Sequence, residues 1–312
     1  MLRPFEAVPF DQLPDRPRLP HGFARTRRYD HRLKSAHFGD HDVRIHELGS
    51  GPPLLLVHGL MTTAYSFRYV FEPLAEHFRV VAPDLPGAGA SEKPDVDYSA
   101  RHMAEWIYEL CRSLGILGAA CIGNSMGGYV CMRAALAHPD AFRCLVNEHS
   151  PGVPELRLHA LHGVLGIPGS LRLLSALVQR NPERFVHRNV HYFDESLKSR
   201  EEARVYAEPL RSEAGRRAFH RHLAHTMSPS GMREFVDELE VRRDAGRGFG
   251  VPLQLIYARR DPMVPPRIGK ELAALLPGAN LIWLEEGSHF AHIDRPQAFL
   301  SAVLPFLLEH GA

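Results

Sequence analysis

One serine, Ser125, stands where an apolar run meets a helical pattern, within the sequence Cys-Ile-Gly-Asn-Ser-Met-Gly-Gly over residues 121–128. The apolar residues 119–122 predict a short buried strand, and residues 129–138 predict a helix. Glycines two positions before and after the serine allow the chain to double back without side-chain collisions. The pattern therefore predicts a sharp strand-to-helix turn that exposes the serine hydroxyl beside the free N–H groups of a helix N-terminus.

Three further apolar runs predict strands, and polar residues follow two of them. Residues 54–57 are continuously apolar, as expected for a strand that is buried on both faces. Residues 253–258 and 281–284 predict two late strands. Asp261 follows the first of these late strands, and His289 follows the second. Serine, acid and histidine thus occur in this order, each after a predicted strand.

With this order of residues the chain resembles the α/β-hydrolase superfamily. The resemblance implies an α/β fold, in which a mostly parallel central sheet is covered by helices on both faces and carries an inserted helical cap. It implies that Ser125 is the nucleophile, His289 the general base and Asp261 the acid that orients the histidine. The backbone N–H groups of Leu60 and Met126 would then form the oxyanion hole.

The chemistry of acyl transfer explains why these residue types are needed. A serine hydroxyl is a poor nucleophile at neutral pH, so a histidine has to take its proton and later return it to the leaving group. A carboxylate holds the histidine in the required tautomer and stabilises the imidazolium. Backbone N–H groups stabilise the oxyanion that forms on the attacked carbonyl.

The acid has an alternative. Glu148 ends another strand-like run, residues 144–147, and some relatives of this fold carry their acid after that strand. Asp261 could instead serve only as a turn former, because Asp-Pro is typical of turns. We expect Asp261 to be the acid, with Glu148 as the alternative.

The other residues also have alternatives. His292 lies three residues beyond His289 and competes with it for the role of base. Ser125 could be only the N-cap of the following helix. His58, directly after the first apolar run, is expected to be structural and to brace the turn beside the pocket.

Composition limits the wider possibilities. The chain has 312 residues, 45% of them hydrophobic and 23% charged, with a net charge of +1. This balance gives no single-signed field that would favour nucleic acid or an anionic membrane, and no apolar run approaches the roughly 20 residues needed to span a bilayer. The N-terminus lacks the apolar core of a signal peptide, so we expect a cytoplasmic protein. The four cysteines are expected to be small buried side chains rather than disulfides.

The pattern of elements divides the chain into three parts. Residues 1–38 are rich in proline and arginine and predict an extended arm that is packed on the body or partly disordered, and that could contact a second copy in a homodimer. Residues 39–151 and 249–312 alternate strands and helices and form the core, and the resemblance runs from about residue 40 to the C-terminus. Residues 152–248 are helical in pattern, and the resemblance implies that they form the cap, which roofs the pocket and sets substrate choice. Core helices are expected over residues 65–78, 100–114, 125–138, 266–276 and 296–309.

One segment of the cap points to a particular branch of the superfamily. Residues 206–211, Tyr-Ala-Glu-Pro-Leu-Arg, resemble cap sequences of haloalkane dehalogenases and epoxide hydrolases. That branch uses an aspartate nucleophile, whereas the turn here carries Ser125. Dehalogenases also place tryptophan and asparagine where this chain has Met126 and Leu60. Dehalogenation and epoxide opening are therefore not expected.

The turn itself resembles the serine branch, which includes carboxylesterases and the C–C bond hydrolases of aromatic ring-cleavage products. The C–C hydrolases usually carry more glycine after the first His-Gly, where this chain has Leu-Met-Thr-Thr over residues 60–63. The resemblance therefore favours a carboxylesterase-like serine hydrolase. Its substrate would be a small, mainly apolar ester or related acyl compound, cleaved through an acyl-enzyme without a cofactor or metal.

Two alternatives stay open. One is C–C bond hydrolysis of a vinylogous keto-acid, with a cap arginine or histidine holding the carboxylate of the substrate. The other is a ligand-binding receptor on the same fold, which labelling with a fluorophosphonate would distinguish from an enzyme. A small-molecule substrate is the one partner that the sequence predicts.

Overall fold

The computed structural model describes residues 4–311. Its strands are β1 (Arg27–Ser35), β2 (Gly39–Leu48), β3 (Pro53–Val57), β4 (Arg79–Pro83), β5 (Ala119–Asn124), β6 (Phe142–Glu148), β7 (Leu253–Ala258) and β8 (Asn280–Leu284). They form one sheet in the order β1-β2-β4-β3-β5-β6-β7-β8. The pairs β1–β2 and β2–β4 are antiparallel, and every other neighbouring pair is parallel. The sheet is therefore mostly parallel, as the sequence predicts.

The helices are α1 (Phe71–Ala75), α2 (Ala100–Ser113), α3 (Met126–Ala137), α4 (Leu156–Leu165), α5 (Ser170–Arg180), α6 (Pro182–Asn189), α7 (Arg200–Ala207), α8 (Glu213–Arg221), α9 (Pro229–Asp244), α10 (Pro266–Leu275), α11 (Ala291–Asp294) and α12 (Pro296–His310). Short 3₁₀ turns occupy Phe10–Gln12, Phe23–Arg25, Ala64–Phe67, Glu195–Leu197 and Pro209–Arg211, and a π-helical turn at His222–Thr226 follows α8.

The central strands are buried on both faces, which explains their continuous apolar sequences. Every residue of β5 and β7 is buried. Along β3, Leu55 and Val57 pack into one core with α2, α3 and α10. Leu54 and Leu56 alternate with them and pack into a second core with α1 and α12 on the other face. Because strands β3 to β8 run parallel, their carboxyl ends lie at one edge of the sheet, where ligands bind in folds of this kind.

The chain between β6 and β7 leaves the sheet and forms helices α4 to α9. No strand occurs in this part of the described chain. Nor does any single helix within residues 4–311 have both the length and the apolar character needed to cross a membrane. Helices α4 and α5 meet that test only when taken together, and they are bent by 99° relative to each other.

The predicted N-terminal arm needs a correction. The sequence places residues 1–38 in an extended arm, but β1 covers Arg27–Ser35 and pairs along its whole length with β2. The strand escapes prediction because it is an edge strand, and only Leu33 and Ser35 among its residues are buried. Its sequence therefore lacks the apolar alternation that marks a half-buried strand. Residues 1–3 of the arm and residue 312 of the core lie outside the described residues.

The predicted helix over residues 65–78 is also wrong as a continuous element. The chain forms a 3₁₀ turn at Ala64–Phe67 and then the short α1. Pro73 gives the physical reason, because a proline ring collides with the carbonyl group four residues earlier in a helix. A helix can therefore begin only shortly before Pro73. The other four core helices lie within two residues of their predicted bounds.

The cysteines are confirmed as buried thiols. Cys111, Cys121, Cys131 and Cys144 are all free and buried. Burial raises the pKa of the Cys144 thiol to about 11. All four pack within the two cores, as small apolar side chains do.

Candidate active site

Ser125 occupies the turn between β5 and α3, as the sequence predicts. Its backbone has φ 55° and ψ −125°, a conformation that costs energy for a residue with a side chain. The backbone N–H of Ser125 donates to the carbonyl of Glu148 (2.8 Å), so the turn is tied to the end of β6. The hydroxyl does not cap α3, which weighs against the N-cap interpretation.

Glycines on both sides of Ser125 are required by close backbone contacts. A Cβ atom on Gly123 would lie 2.5 Å from the Cα of Gly128. On Gly127 it would lie 2.4 Å from the carbonyl oxygen of Val57, at the end of β3. Both distances are far below van der Waals contact, so only glycine lets α3 start this close to the sheet.

Asp261, in the loop after β7, is paired with His289. Its Oδ2 lies 2.8 Å from Nδ1 of His289, and Oδ1 accepts hydrogen bonds from the N–H groups of Met263 (2.6 Å) and Val264 (3.0 Å). Burial works to raise the pKa of the Asp261 carboxyl, but His289, His149 and the N–H of Val264 more than offset it. The pKa of Asp261 is therefore lower than usual, and the group is a carboxylate at neutral pH.

Glu148, the alternative acid, is paired with a different histidine. Its Oε2 lies 2.7 Å from Nδ1 of His292, and its Oε1 accepts from the N–H of the same residue (3.1 Å). Glu148 also accepts a hydrogen bond from Asn124 (3.2 Å), whose amide donates as well to the carbonyl of His289 (2.9 Å). Burial works to raise the pKa of Glu148, but His292 lowers it by more. Of the two acids, Asp261 is the one in contact with His289.

Two backbone N–H groups lie beside Ser125 without acceptors. Within residues 4–311, neither Leu60 nor Met126 donates a backbone hydrogen bond. Met126 is the first residue of α3, where helix N–H groups lack partners in the helix. A Cβ atom on Gly59 would lie 3.0 Å from the Cβ of Ser125, so the turn after β3 packs directly against the serine. The two N–H groups are thus available to a ligand at Ser125.

His58 makes structural contacts on either side of its turn. Its Nδ1 lies 2.8 Å from the carbonyl of Gly59, and its Nε2 accepts from the N–H of Leu85 (2.9 Å). These two bonds link the loop after β3 to the loop after β4. Their geometry agrees with the predicted bracing role.

His149 is a buried residue of the site that sequence reasoning missed. It has φ 52°, its Nε2 accepts from the N–H of Ala258 (2.6 Å), and its ring centre lies 5.7 Å from that of His289. Burial lowers the pKa of His149 to about 4, so the ring is neutral at pH 7. Its position directly after Glu148 at the end of β6 is the one sequence signal that could have found it.

Ser125 and His289 line one cavity of about 430 Å³. Most of the wall is apolar and comes from both the core loops and the inserted helices: Leu60, Met61, Pro151, Leu158, Leu161, Val190, Leu223, Met227, Pro262, Met263, Val264, Ile268 and Phe290. Its other polar side chains are Glu155, Arg157, Asn189 and His191. Such a cavity suits a small, mainly apolar ligand held at a few polar points.

An ion pair contributes to the wall of this cavity. The buried Glu155 carboxylate accepts from Nε of Arg157 (2.6 Å) and from Arg267 (3.0 Å). Arg157 also reaches the carbonyl of Pro262 (3.3 Å). Separately, no group of three or more His, Cys, Asp or Glu side chains in the described part of the chain is placed to hold a metal ion.

Comparison with known proteins finds similarity both in sequence and in fold. The chain is 30% identical over 275 residues to 2-hydroxymuconate semialdehyde hydrolase from Pseudomonas sp. (strain CF600). The match covers 86% of this chain and 92% of that protein. Two solved structures share the fold. One is a thermophilic esterase from Thermogutta terrifontis, with a TM-score of 0.70 and 21% identity over 92% of this chain and all of that one. The other is the epoxide hydrolase CorEH, with a TM-score of 0.76 and 22% identity; the match covers 91% of this chain and 99% of that one.

The family assignment rests on a broader match. The model of the alpha/beta hydrolase fold family matches residues 52–296, which include β3 to β8 and the helices between them. The sheet order and the helices on both faces agree with that fold, so the predicted resemblance and fold class are confirmed. The chain belongs to the α/β-hydrolase fold family.

Proposed function

We propose that the chain is a serine hydrolase that cleaves a small, mainly apolar carboxylic ester through an acyl-enzyme. The observation that carries the proposal is the pairing of His289 Nδ1 with Asp261 at 2.8 Å, in a histidine that lines the same cavity as Ser125. This pairing leaves Nε2 of His289 as the nitrogen that can accept the serine proton.

The reaction would follow from these positions. Ser125 Oγ attacks the carbonyl carbon of the ester while Nε2 of His289 takes its proton. The oxyanion is stabilised by the N–H groups of Leu60 and Met126, which have no other acceptor in the described chain. His289 returns the proton to the leaving alcohol, and water then attacks the acyl-enzyme with His289 again as base. Asp261 stays ionised throughout and stabilises the imidazolium.

The charges around the cavity favour a neutral ester over an anionic substrate. Among the residues that line it, Arg157 is the one arginine or lysine, and its guanidinium is already bonded to the Glu155 carboxylate. A substrate carboxylate would have to compete with Glu155 for that cation. The apolar wall, in contrast, offers burial to an alkyl or aryl acyl group, worth about 25 cal/mol per Å² of apolar surface.

A second candidate is C–C bond hydrolysis of a vinylogous keto-acid. It is favoured by the similarity to 2-hydroxymuconate semialdehyde hydrolase. The same serine would attack the keto carbonyl, and the adjacent carbon would leave with the bonding electrons and take a proton. His191 and Asn189 on the cavity wall could then hold the carboxylate. Epoxide opening is not proposed, because Ser125 stands where that chemistry needs an aspartate.

The serine test compares two single variants. Ser125→Ala should lower kcat on the order of 10⁴- to 10⁶-fold, because the hydroxyl is the reacting group. Ser66→Ala is the matched control, since Ser66 is also buried and its hydroxyl has no hydrogen-bond partner in the described chain. The control should keep wild-type activity. If Ser125→Ala retains more than about a tenth of the wild-type rate, the proposed nucleophile is wrong.

The substrate test sets two panels side by side. One contains 4-nitrophenyl esters of increasing acyl length, and the other contains 2-hydroxy-6-oxo-dienoates. A higher kcat/KM for the esters supports the proposal, and a higher value for the dienoates establishes the C–C candidate instead. Tight binding of a compound without turnover of either panel would indicate a receptor.

A further inference from the structure

Helices α4 and α5 carry an unusual amount of exposed apolar surface. Ten large apolar side chains are exposed in the described part of the chain, and six of them lie within residues 156–180. Their exposed fractions are 87% for Leu156, 38% for Leu161, 55% for Val164, 58% for Ile167, 62% for Leu173 and 55% for Leu177. A patch of this kind on a folded protein marks an interaction surface. We call residues 156–180 the apolar hairpin.

The exposed side chains form continuous stripes rather than scattered points. Leu156 and Val164 are eight residues apart and share one face of α4. Leu173 and Leu177 are four residues apart and share one face of α5. In the two helices together only Leu165 and Val178 are buried. Packing against the rest of the chain therefore does not account for the apolar sequence of the apolar hairpin.

The apolar hairpin is also part of the wall of the catalytic cavity. Leu158 and Leu161 of α4 line the cavity that contains Ser125 and His289. Leu156 and Val164 of the same helix do not line the cavity and are exposed to solvent. Helix α4 thus lies between the cavity and a partner bound to the apolar hairpin.

The charged side chains of the apolar hairpin are all positive. Residues 156–181 contain no aspartate or glutamate, but they contain Arg157, Arg172 and Arg180. Within residues 4–311, Arg172 and Arg180 form no ion pair. In a depression beside α5, by contrast, Arg217 is paired with Asp95 (3.3 Å) and Arg216 is buried against backbone carbonyls, so the unpaired positive charge comes from Arg172 and Arg180. The net charge of +1 for the whole chain does not reveal this local excess of positive charge.

Apolar stripes with arginines and no acids fit one kind of partner. Helices α4 and α5 have 10 and 11 residues, about 15 Å each, and their 99° bend prevents them from acting as one span of the roughly 30 Å hydrocarbon layer. They can lie in the plane of a bilayer, with leucines among the acyl chains and arginines at the headgroups. A symmetric contact between two copies would instead bring the acid-free faces together and oppose like charges.

We propose that the apolar hairpin docks the protein on the surface of an anionic phospholipid bilayer. The docking surface consists of Leu156, Val164, Ile167, Leu173 and Leu177, with Arg172 and Arg180 binding the phosphates. Docking needs neither the proposed nucleophile nor turnover, so it stands apart from the proposed function. Because α4 also lines the cavity, the cavity of the docked protein lies next to the membrane surface.

The test is sedimentation of the full-length protein with sucrose-loaded vesicles at low ionic strength. Vesicles of equal parts phosphatidylglycerol and phosphatidylcholine should bind the wild type, and vesicles of phosphatidylcholine alone should bind it more weakly. The double variant Leu173→Asp/Leu177→Asp should bind at least about tenfold more weakly, because it places two carboxylates in the apolar stripe. Val241→Asp is the matched control, since Val241 is as exposed as Leu173 (62%) but lies on α9. Ser125→Ala should bind like the wild type.

Several results would overturn the proposal. Absence of binding to the anionic vesicles at low salt is the first, and an equal loss of binding in Val241→Asp is the second. A third is a concentration-dependent dimer, measured by light scattering, that the double variant abolishes while vesicle binding is absent. That result would assign the apolar hairpin to a second copy of the chain. Circular dichroism of the double variant and its activity on a soluble ester establish that it is folded.

Discussion

The carboxylate of Glu148 lies 2.7 Å from Nδ1 of His292, and both side chains are completely buried. The site thus contains two carboxylate–imidazole pairs whose histidines are three residues apart in sequence, but only one of the two, His289 with Asp261, reaches the cavity. Glu148 instead joins α11, which carries His292, to the amide of Asn124 at the end of β5, the residue before the serine. Its geometry is that of a positioning residue for both elements.

The first prediction separates the two acids. Asp261→Asn should lower kcat on the order of 10³- to 10⁴-fold, since the amide favours the wrong tautomer of His289 and no longer stabilises its charge. Glu148→Gln should cost far less activity and should act mainly on stability. Steady-state kinetics and denaturant unfolding of the two variants measure both effects. A larger loss of kcat in Glu148→Gln would mean that the acid lies after β6.

The second prediction concerns a buried ion pair between the core and the inserted helices. Arg68, completely buried next to α1, donates to the carboxylate of Glu202 on α7 and packs on the rings of Tyr65 and Tyr69. Glu202→Gln should lower the free energy of unfolding by about 3–5 kcal/mol, because it leaves the Arg68 charge buried without a counter-ion.

The partly exposed pair of Glu183 and Arg211 provides the control for this variant. Glu183→Gln should change the free energy of unfolding by less than about 1 kcal/mol. Urea unfolding of both variants gives the comparison. If both substitutions lower the free energy of unfolding equally, burial does not determine how much the ion pair contributes to stability.

The third prediction follows from His149. Its pKa is 6.5 in the unfolded chain and about 4 in the folded protein, so the unfolded state binds more protons between these values. The stability that this group contributes is complete above pH 6.5 and is lost as the pH falls towards 4. His149→Asn removes this titration, and asparagine tolerates the positive φ at this position.

The measurement is the free energy of unfolding of wild type and His149→Asn across this pH range. On acidification from above 6.5 to 4, the wild type should lose up to about 3 kcal/mol more than the variant. A difference between the two proteins that stays constant over the range would show that His149 does not bind a proton on unfolding.

Much of the fold could be predicted from the sequence, because the parallel strands carry continuous apolar runs. The run over residues 253–258 matches β7 at both ends, and residues 54–57 lie within β3. The edge strand β1 could not be found in this way, since most of its side chains face solvent and its pairing with β2 depends on backbone groups. Patterns of side chains carry little information about an edge strand.

The candidate site, like the fold, could be predicted only in part from the sequence. The order of Ser125, Asp261 and His289 along the chain predicts all three as candidate site residues, because each follows a recognisable strand. Sequence reasoning gives Glu148 and His292 as separate alternatives, whereas the structure joins them in one pair. Their contact spans 144 positions along the chain, and no local pattern encodes it. The exposure of the apolar hairpin likewise depends on how the inserted helices pack, which apolar periodicity alone does not reveal.

The central claim is that His289 activates Ser125, and labelling with a fluorophosphonate tests it most directly. Mass spectrometry of the labelled protein should find one phosphonyl group, on the peptide that contains Ser125. The rate of labelling should depend on pH in the same way as kcat/KM, because His289 acts as the base in both reactions, and Asp261→Asn should slow it. Absence of an adduct on Ser125, or labelling that does not change with pH while kcat/KM does, would contradict the account.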